Sequence, residues 1–163
     1  MKAKKDTSYS TKIAHLSVLE QYVGKEIGLT KWMTIEQGRI DKFAEVTEDF
    51  QWIHIDPKKS AVDSPFKKTV AHGFLILSMA PKFCYETVQL ADVVLGVNYG
   101  LDKVRFIHAV PSGSNIRGRL SLLAFEEFSG GAKYTIQIVF ELEGSEKPAC
   151  IAAFIAMAYT TVA

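Results

Sequence analysis

Apolar positions recur at helical intervals in the first half of the chain and at every second residue in the last part. Ile40, Phe43, Ala44 and Val46 fall at helical spacing behind Thr34-Ile35-Glu36-Gln37, which reads as a capping box completed by Gln37. Ser17-Val18-Leu19-Glu20 opens a shorter helix in the same way, and Gly24 ends it. From Gly73 to about Val88 the chain is strongly apolar and predicts a buried helix, bent at Pro81 because proline removes one intrahelical hydrogen bond. After Gln89 the period becomes two. Strands are predicted over Val104–Ala109, Asn115–Glu127, Lys133–Glu143 and Lys147–Thr161. Pro111-Ser112-Gly113, Ser129-Gly130-Gly131 and Gly144-Ser145 supply the turn chemistry between them.

The last strand points to the architecture. Ile151, Ala153, Ile155, Met157 and Tyr159 lie on one side, and Cys150, Ala152, Phe154, Ala156 and Ala158 on the other, so both faces read as buried. A row of alanines lets a helix approach closely, which predicts an α+β fold with an antiparallel β-sheet wrapped around the long central α-helix that starts at Gly73. From Thr47 to Thr69 periodicity fails while Asp, Pro, Ser and Lys accumulate, the pattern of an irregular connection packed over something else. A chain of 163 residues is the size of one ordinary domain. One domain is expected over residues 16–163, behind a poorly ordered polar tail at 1–15.

Composition narrows the partners. With 19 basic and 18 acidic residues the net charge is +1, which gives no reason to expect nucleic acid or an anionic membrane surface. The basic N-terminus lacks the apolar core of a secretory signal, and no uninterrupted apolar run of about 18 residues exists, so a cytoplasmic, soluble protein is expected. Cys84 and Cys150 form no CxxC or metal-ligand spacing and are expected to be buried free thiols.

Two clusters carry the candidate chemistry: Glu48-Asp49-Phe50-Gln51-Trp52-Ile53-His54-Ile55-Asp56 and Ala71-His72-Gly73-Phe74-Leu75-Ile76-Leu77-Ser78. A carboxylate and an imidazole five residues apart point to different sides of a regular helix, so Asp49 and His54 must converge through a loop to act on one water. Gly73, opening an apolar helix, can offer its backbone N–H to a developing oxyanion. Taken singly, each has a plainer reading. Asp49 can cap a turn, His54 can be a satisfied half-buried histidine, and Gly73 can merely let a helix pass close to a strand. The joint occurrence of a titratable pair, a covering segment and a glycine-led helix start favours chemistry, and suggests adding or removing water beside a carbonyl. His54, Asp56, His72 and His108 fit no standard zinc spacing. Ser78 has no adjacent base in sequence to make it a nucleophile.

On these residues the chain resembles the MaoC-like dehydratases, the (R)-specific enoyl-CoA hydratases of the hot-dog fold, and within them the group similar to the nodulation protein NodN. The family pattern Asp-x-Asn-Pro-x-His is met by Asp49 and His54, and the Ala-His-Gly helix start by Ala71 to Leu75. The likeness extends through Asn98–Phe106 and Val110–Gly113, covering roughly residues 16–123. Gln51-Trp52 stands where the hydratases have Asn-Pro, and the NodN-like group carries a similar Gln-Trp-Ile-His.

The resemblance implies that Asp49 and His54 hold a water that adds to the β-carbon of a trans-2-enoyl thioester, or leaves an (R)-3-hydroxyacyl thioester in reverse. The Gly73 N–H would bind the thioester oxygen, a role worth about 3 to 4 kcal/mol when one donor is lost. It implies substrate contacts at Gln51, His72 and Ser78, and at Arg105, chosen among Lys67, Lys68, Lys103, Arg117 and Arg119 as the side chain to meet coenzyme A phosphates. It implies no metal and no cofactor beyond coenzyme A, or acyl carrier protein, as part of the substrate. A homodimer is expected. A hot-dog acyl-CoA thioesterase and a non-catalytic acyl-thioester binding protein are the alternatives, the second disfavoured because a mere pocket needs no pair of titratable groups.

Overall fold

The computed structural model describes residues 7–161, so the first six residues of the expected tail lie outside it. The rest of that tail is packed, contrary to expectation. The Tyr9 backbone pairs with Leu29, its hydroxyl donates to Glu26 at 2.8 Å, and β1 (Thr11–Ile13) buries Ile13. One phenol and one isoleucine anchor a stretch whose composition is otherwise polar.

A 3-10 helix over Leu16–Tyr22 follows, starting behind His15 rather than Ser17. The Asp92 carboxylate, 76 residues away in sequence, accepts the Leu16 N–H at 2.9 Å and so does the work of a local cap. β2 (Glu26–Leu29) and β3 (Met33–Ile35) are too short for periodicity to reveal. Thr34 belongs to β3, bonding the Asn115 side chain at 2.7 Å, so the capping-box reading of Thr34–Gln37 fails there. Glu36 precedes α1 (Gln37–Thr47), which buries Ile40 and Ala44 as the spacing predicts and leaves Val46 exposed.

The segment predicted as irregular holds two short helices, α2 (Trp52–Ile55) and α3 (Pro57–Asp63). Asp56 caps α3 by accepting the Lys59 N–H at 2.9 Å, with Pro57 in the first turn, an Asp-Pro start signal. The central helix is broken rather than bent. α4 (Gly73–Ser78) ends at Met79, and α5 (Ala80–Thr87) begins with Pro81 in its first turn, where a missing N–H loses no bond. β4 (Val88–Leu90) pairs in parallel with β1. β5 (Leu95–Phe106) starts well before the predicted Val104, because register shifts at Asn98/Gly100 and Asp102/Arg105 break its alternation.

β6 (Ser114–Phe128), β7 (Gly131–Leu142) and β8 (Cys150–Tyr159) complete an antiparallel sheet in the order β2-β6-β7-β8-β5, with β3 also on β6. Its inner face receives the broken helix. Gly118 shows how closely: a Cβ there would lie 2.4 Å from the fully buried Phe83 ring of α5. On β8 the residues Cys150, Ala152, Phe154, Ala156 and Ala158 are buried, as the small-residue row predicts. Ile151, Ile155 and Met157 are only half-buried, so one face of β8 is core and not both. Cys84 and Cys150 are free, and burial pushes their thiols up to about 12 and about 11. Among the described residues no helix is long and apolar enough to cross a membrane.

Candidate active site

α1 stops at Glu48, whose φ of 57° is left-handed and turns the chain off the helix axis. The turn frees Asp49 from helical phase, and α2 then carries His54 back beneath it. Asp49, His54 and His72 each bring a nitrogen or carboxylate oxygen into one group whose members all lie within 4.8 Å of one another. The convergence expected of Asp49 and His54 is therefore present, through a turn and a single helical turn.

The two imidazoles are deeply placed and the carboxylate is open: the His54 and His72 residues are 7% and 3% exposed, whereas the Asp49 side chain is 55% exposed. His54 Nδ1 lies 2.6 Å from the Val70 carbonyl oxygen, which can only accept, so Nδ1 carries the proton and Nε2 keeps its lone pair in the neutral ring. Burial holds His54 below its ordinary value near 6.5, with the neighbouring His72 acting in the same direction. The Val70 bond and the Asp49 carboxylate oppose this without reversing it. His72 Nε2–H donates to the Asp49 backbone carbonyl at 3.0 Å, and its buried Nδ1 has no hydrogen-bond partner among the described residues. The His72 ring stacks on His54, and Phe43 of α1 packs against it with centroids 5.1 Å apart.

A water about 2.8 Å from each of two atoms can bridge them when they are 4.8 Å apart. The set therefore suits one water held between a carboxylate and a neutral imidazole. The same three donors also have the spacing of a cation site.

Gly73 is the first residue of α4, and first-turn N–H groups of an α-helix have no intrahelical acceptor. A Cβ on Gly73 would lie 3.0 Å from the Phe106 ring, so a larger residue there would require that ring to give by a few tenths of an ångström. A cleft of about 240 Å³ opens there between Gly73, Phe106 and His108.

The remaining candidates are less concentrated. Gln51 is exposed, and its backbone N–H reaches Asp49 Oδ1 at 3.4 Å. Ser78 donates its hydroxyl back to the Leu75 carbonyl at 2.7 Å and lines a groove of about 390 Å³ with Phe74, Leu77, Tyr99 and Leu101. Arg105 is exposed on β5, with Nη1 on the Val104 carbonyl. Arg117 and Arg119 are removed from the phosphate-binding candidates. They point away from the helix, both donate to Glu141 at 2.6 Å, Arg119 also reaches Glu26, and Trp32 covers Arg117 at 4.3 Å.

Sequence reasoning missed the Val70 carbonyl, which has no side-chain signature. It also missed Gln37, read as a capping residue, whose amide instead reaches the His54 carbonyl.

Residues 18–139 match the family described as the MaoC like domain. The chain belongs to the MaoC-like family. It is 42% identical over 130 residues to 3-hydroxyacyl-thioester dehydratase Z of Mycobacterium tuberculosis, covering 79% of this chain and 85% of that protein. It is 40% identical over 136 residues to nodulation protein N of Rhizobium leguminosarum, covering 82% and 84%. Among solved structures it is similar to the monoamine oxidase regulatory protein of Archaeoglobus fulgius, with TM-score 0.74 at 21% identity, covering 94% of this chain and 99% of that one. The antiparallel sheet around a central helix is the hot-dog fold of MaoC-like proteins, and the family is one of hydratases and dehydratases.

Proposed function

We propose that the protein is an (R)-specific enoyl-CoA hydratase, or 3-hydroxyacyl-thioester dehydratase, working through Asp49 and His54. The observation that carries this reading is the buried His54 ring, its Nδ1 proton held by the Val70 carbonyl, grouped with the open Asp49 carboxylate. In the hydration direction the water held by Asp49 and His54 loses a proton to Nε2, and its oxygen bonds to the β-carbon. The α,β double-bond electrons pass toward the thioester carbonyl, whose oxygen takes up enolate charge at the Gly73 N–H. Return of a proton from the dyad to the α-carbon restores the carbonyl, so one water has been added and the site is as it began. Dehydration is the same path reversed.

The groove lined by Phe74, Leu77, Ser78 and Leu101 provides apolar surface for an acyl chain. Gln51, His72 and Arg105 complete the proposed substrate side, Arg105 toward coenzyme A phosphates and His72 by fixing the backbone of Asp49. The proposal includes a homodimer. β5 is a 12-residue edge strand with Val97, Tyr99 and Leu101 exposed, and an unpaired edge of this kind is a template for a second chain. Sedimentation should give twice the 18.1 kDa chain mass.

The test is loss of enoyl-thioester absorbance on mixing the protein with crotonyl-CoA and longer trans-2-enoyl-CoAs, with chiral analysis of the product. Formation of the (R)-3-hydroxyacyl thioester is expected. Release of free thiol without hydration would overturn the reading in favour of a thioesterase.

A further inference from the structure

We infer that Gln37 is a positioning residue for His54, its side-chain amide clamping together the two chain segments that aim the imidazole; the inference rests on the hydratase reading only for its effect on rate. His54 is held from two directions. Its own segment enters through the α2 backbone, and its ring is directed by the Val70 carbonyl from the segment before α4. One backbone bond, from the Val70 N–H to the Ile53 carbonyl at 3.0 Å, joins the two directly. The Gln37 amide adds a second bridge. Its Nε2 donates to the His54 carbonyl at 2.7 Å and to Asp41 Oδ1 at 2.7 Å, while its Oε1 accepts the hydroxyl of Thr69, the residue before Val70.

The chemistry of the partners fixes which way the amide faces. A backbone carbonyl and a carboxylate are both acceptors and require the –NH2 end, and the threonine hydroxyl supplies a donor to the oxygen end. Asp41, one helical turn along α1, thus acts as the orienter of Gln37. Thr69 is buried and Gln37 half-buried, so these bonds are sheltered from competing water. Breaking them leaves a buried hydroxyl and the His54 carbonyl to find new partners, and the Val70 carbonyl loses its fixed distance from Nδ1.

The charge state of His54 is set by its burial, the Val70 carbonyl, His72 and Asp49, whereas Asp41 meets only the Gln37 amide. A neutral replacement at Gln37 therefore alters position and hydration without adding charge. The experiment uses the full chain in four forms: wild type, Gln37→Met, Thr69→Val and Thr69→Ser. Steady-state hydration of crotonyl-CoA is measured alongside the imidazole nitrogen shifts of His54 followed by NMR through a pH titration.

In Gln37→Met and in Thr69→Val, kcat should fall about tenfold with KM within about twofold, the signature of lost orientation rather than lost substrate binding. The Nδ1–H tautomer should lose population, because the Val70 carbonyl no longer holds that proton in place, while Thr69→Ser, which keeps the hydroxyl, stays near wild type. Wild-type kcat in both damaging variants, or a fall in kcat with unchanged His54 shifts, would overturn the inference whatever happens to melting temperature. If the wild type hydrates no enoyl thioester, the functional reading fails separately, and the His54 tautomer still decides the positioning role. Should Gln37→Met fail to fold, Thr69→Val carries the same decision.

Discussion

The His54 and His72 rings lie stacked, centroids 3.7 Å apart and planes inclined by 25°. Two imidazolium ions at that distance in a buried place would repel strongly, so the pair favours states in which His54 is neutral. The stack also gives His72 a reason to be in the site without facing substrate: it supports the ring of the proposed base and holds the Asp49 backbone.

The rate should follow this electrostatics. The base must be unprotonated, and burial holds it below 6.5, so kcat/KM for hydration should decline on acidification with a midpoint below 6.5. A pH–rate profile checks this; a decline centred at or above 6.5 contradicts it. Stability shifts in the matching direction. The unfolded chain binds a proton at His54 before the folded chain does, so acidification from above 6.5 toward the lowered folded value removes stability. His54→Gln should lose that part of the pH dependence in thermal melts.

Gly73→Ala tests the close approach at the helix start. The φ of Gly73 is unexceptional, so the backbone tolerates alanine, but the new Cβ meets the Phe106 ring at 3.0 Å and one of them must move. A shifted N–H is expected to lower kcat, by up to about 100-fold for a displacement near 1 Å, with little effect on folding. Adding Phe106→Leu should restore part of the rate.

Glu141 tests the outer face of the sheet independently of the site. Burial disfavours its charge, but hydrogen bonds from Arg119 and Arg117 outweigh this and hold its carboxyl below the usual range. Glu141→Ala leaves two nearly buried guanidinium groups short of their shared partner and should cost about 3 kcal/mol in denaturant unfolding. The ion pairs should also weaken as pH falls through the lowered folded-state value of Glu141. Turnover per folded molecule should be unchanged, because the cluster lies on the sheet face away from the helix.

How much of this was legible in the sequence depends on the range of the forces involved. Local patterns identified the helix at Gly73, the long strands β6 to β8 and the row of small residues on β8. They failed where a distant group does a local job. Asp92 caps the helix at Leu16, and Thr34 looks like a cap but is held in β3 by Asn115. Pro81 looks like a bend in the sequence because only the break at Met79 places it in the first turn of a new helix. In the site, Asp49, His54 and Gly73 stood out by chemical type. The Val70 carbonyl and the Gln37 amide did not, since one is backbone and the other acts across 17 residues.

The most direct test of the Asp49–His54 assignment is the initial rate of crotonyl-CoA hydration for wild type, Asp49→Asn and His54→Gln, each shown to be folded by circular dichroism. Both substitutions keep the shape of the site while removing the carboxylate charge or the basic nitrogen. The predicted result is a measurable wild-type rate that falls by about 100-fold or more in each variant. Rates within about twofold of wild type in either variant would contradict the dyad as the group that activates water.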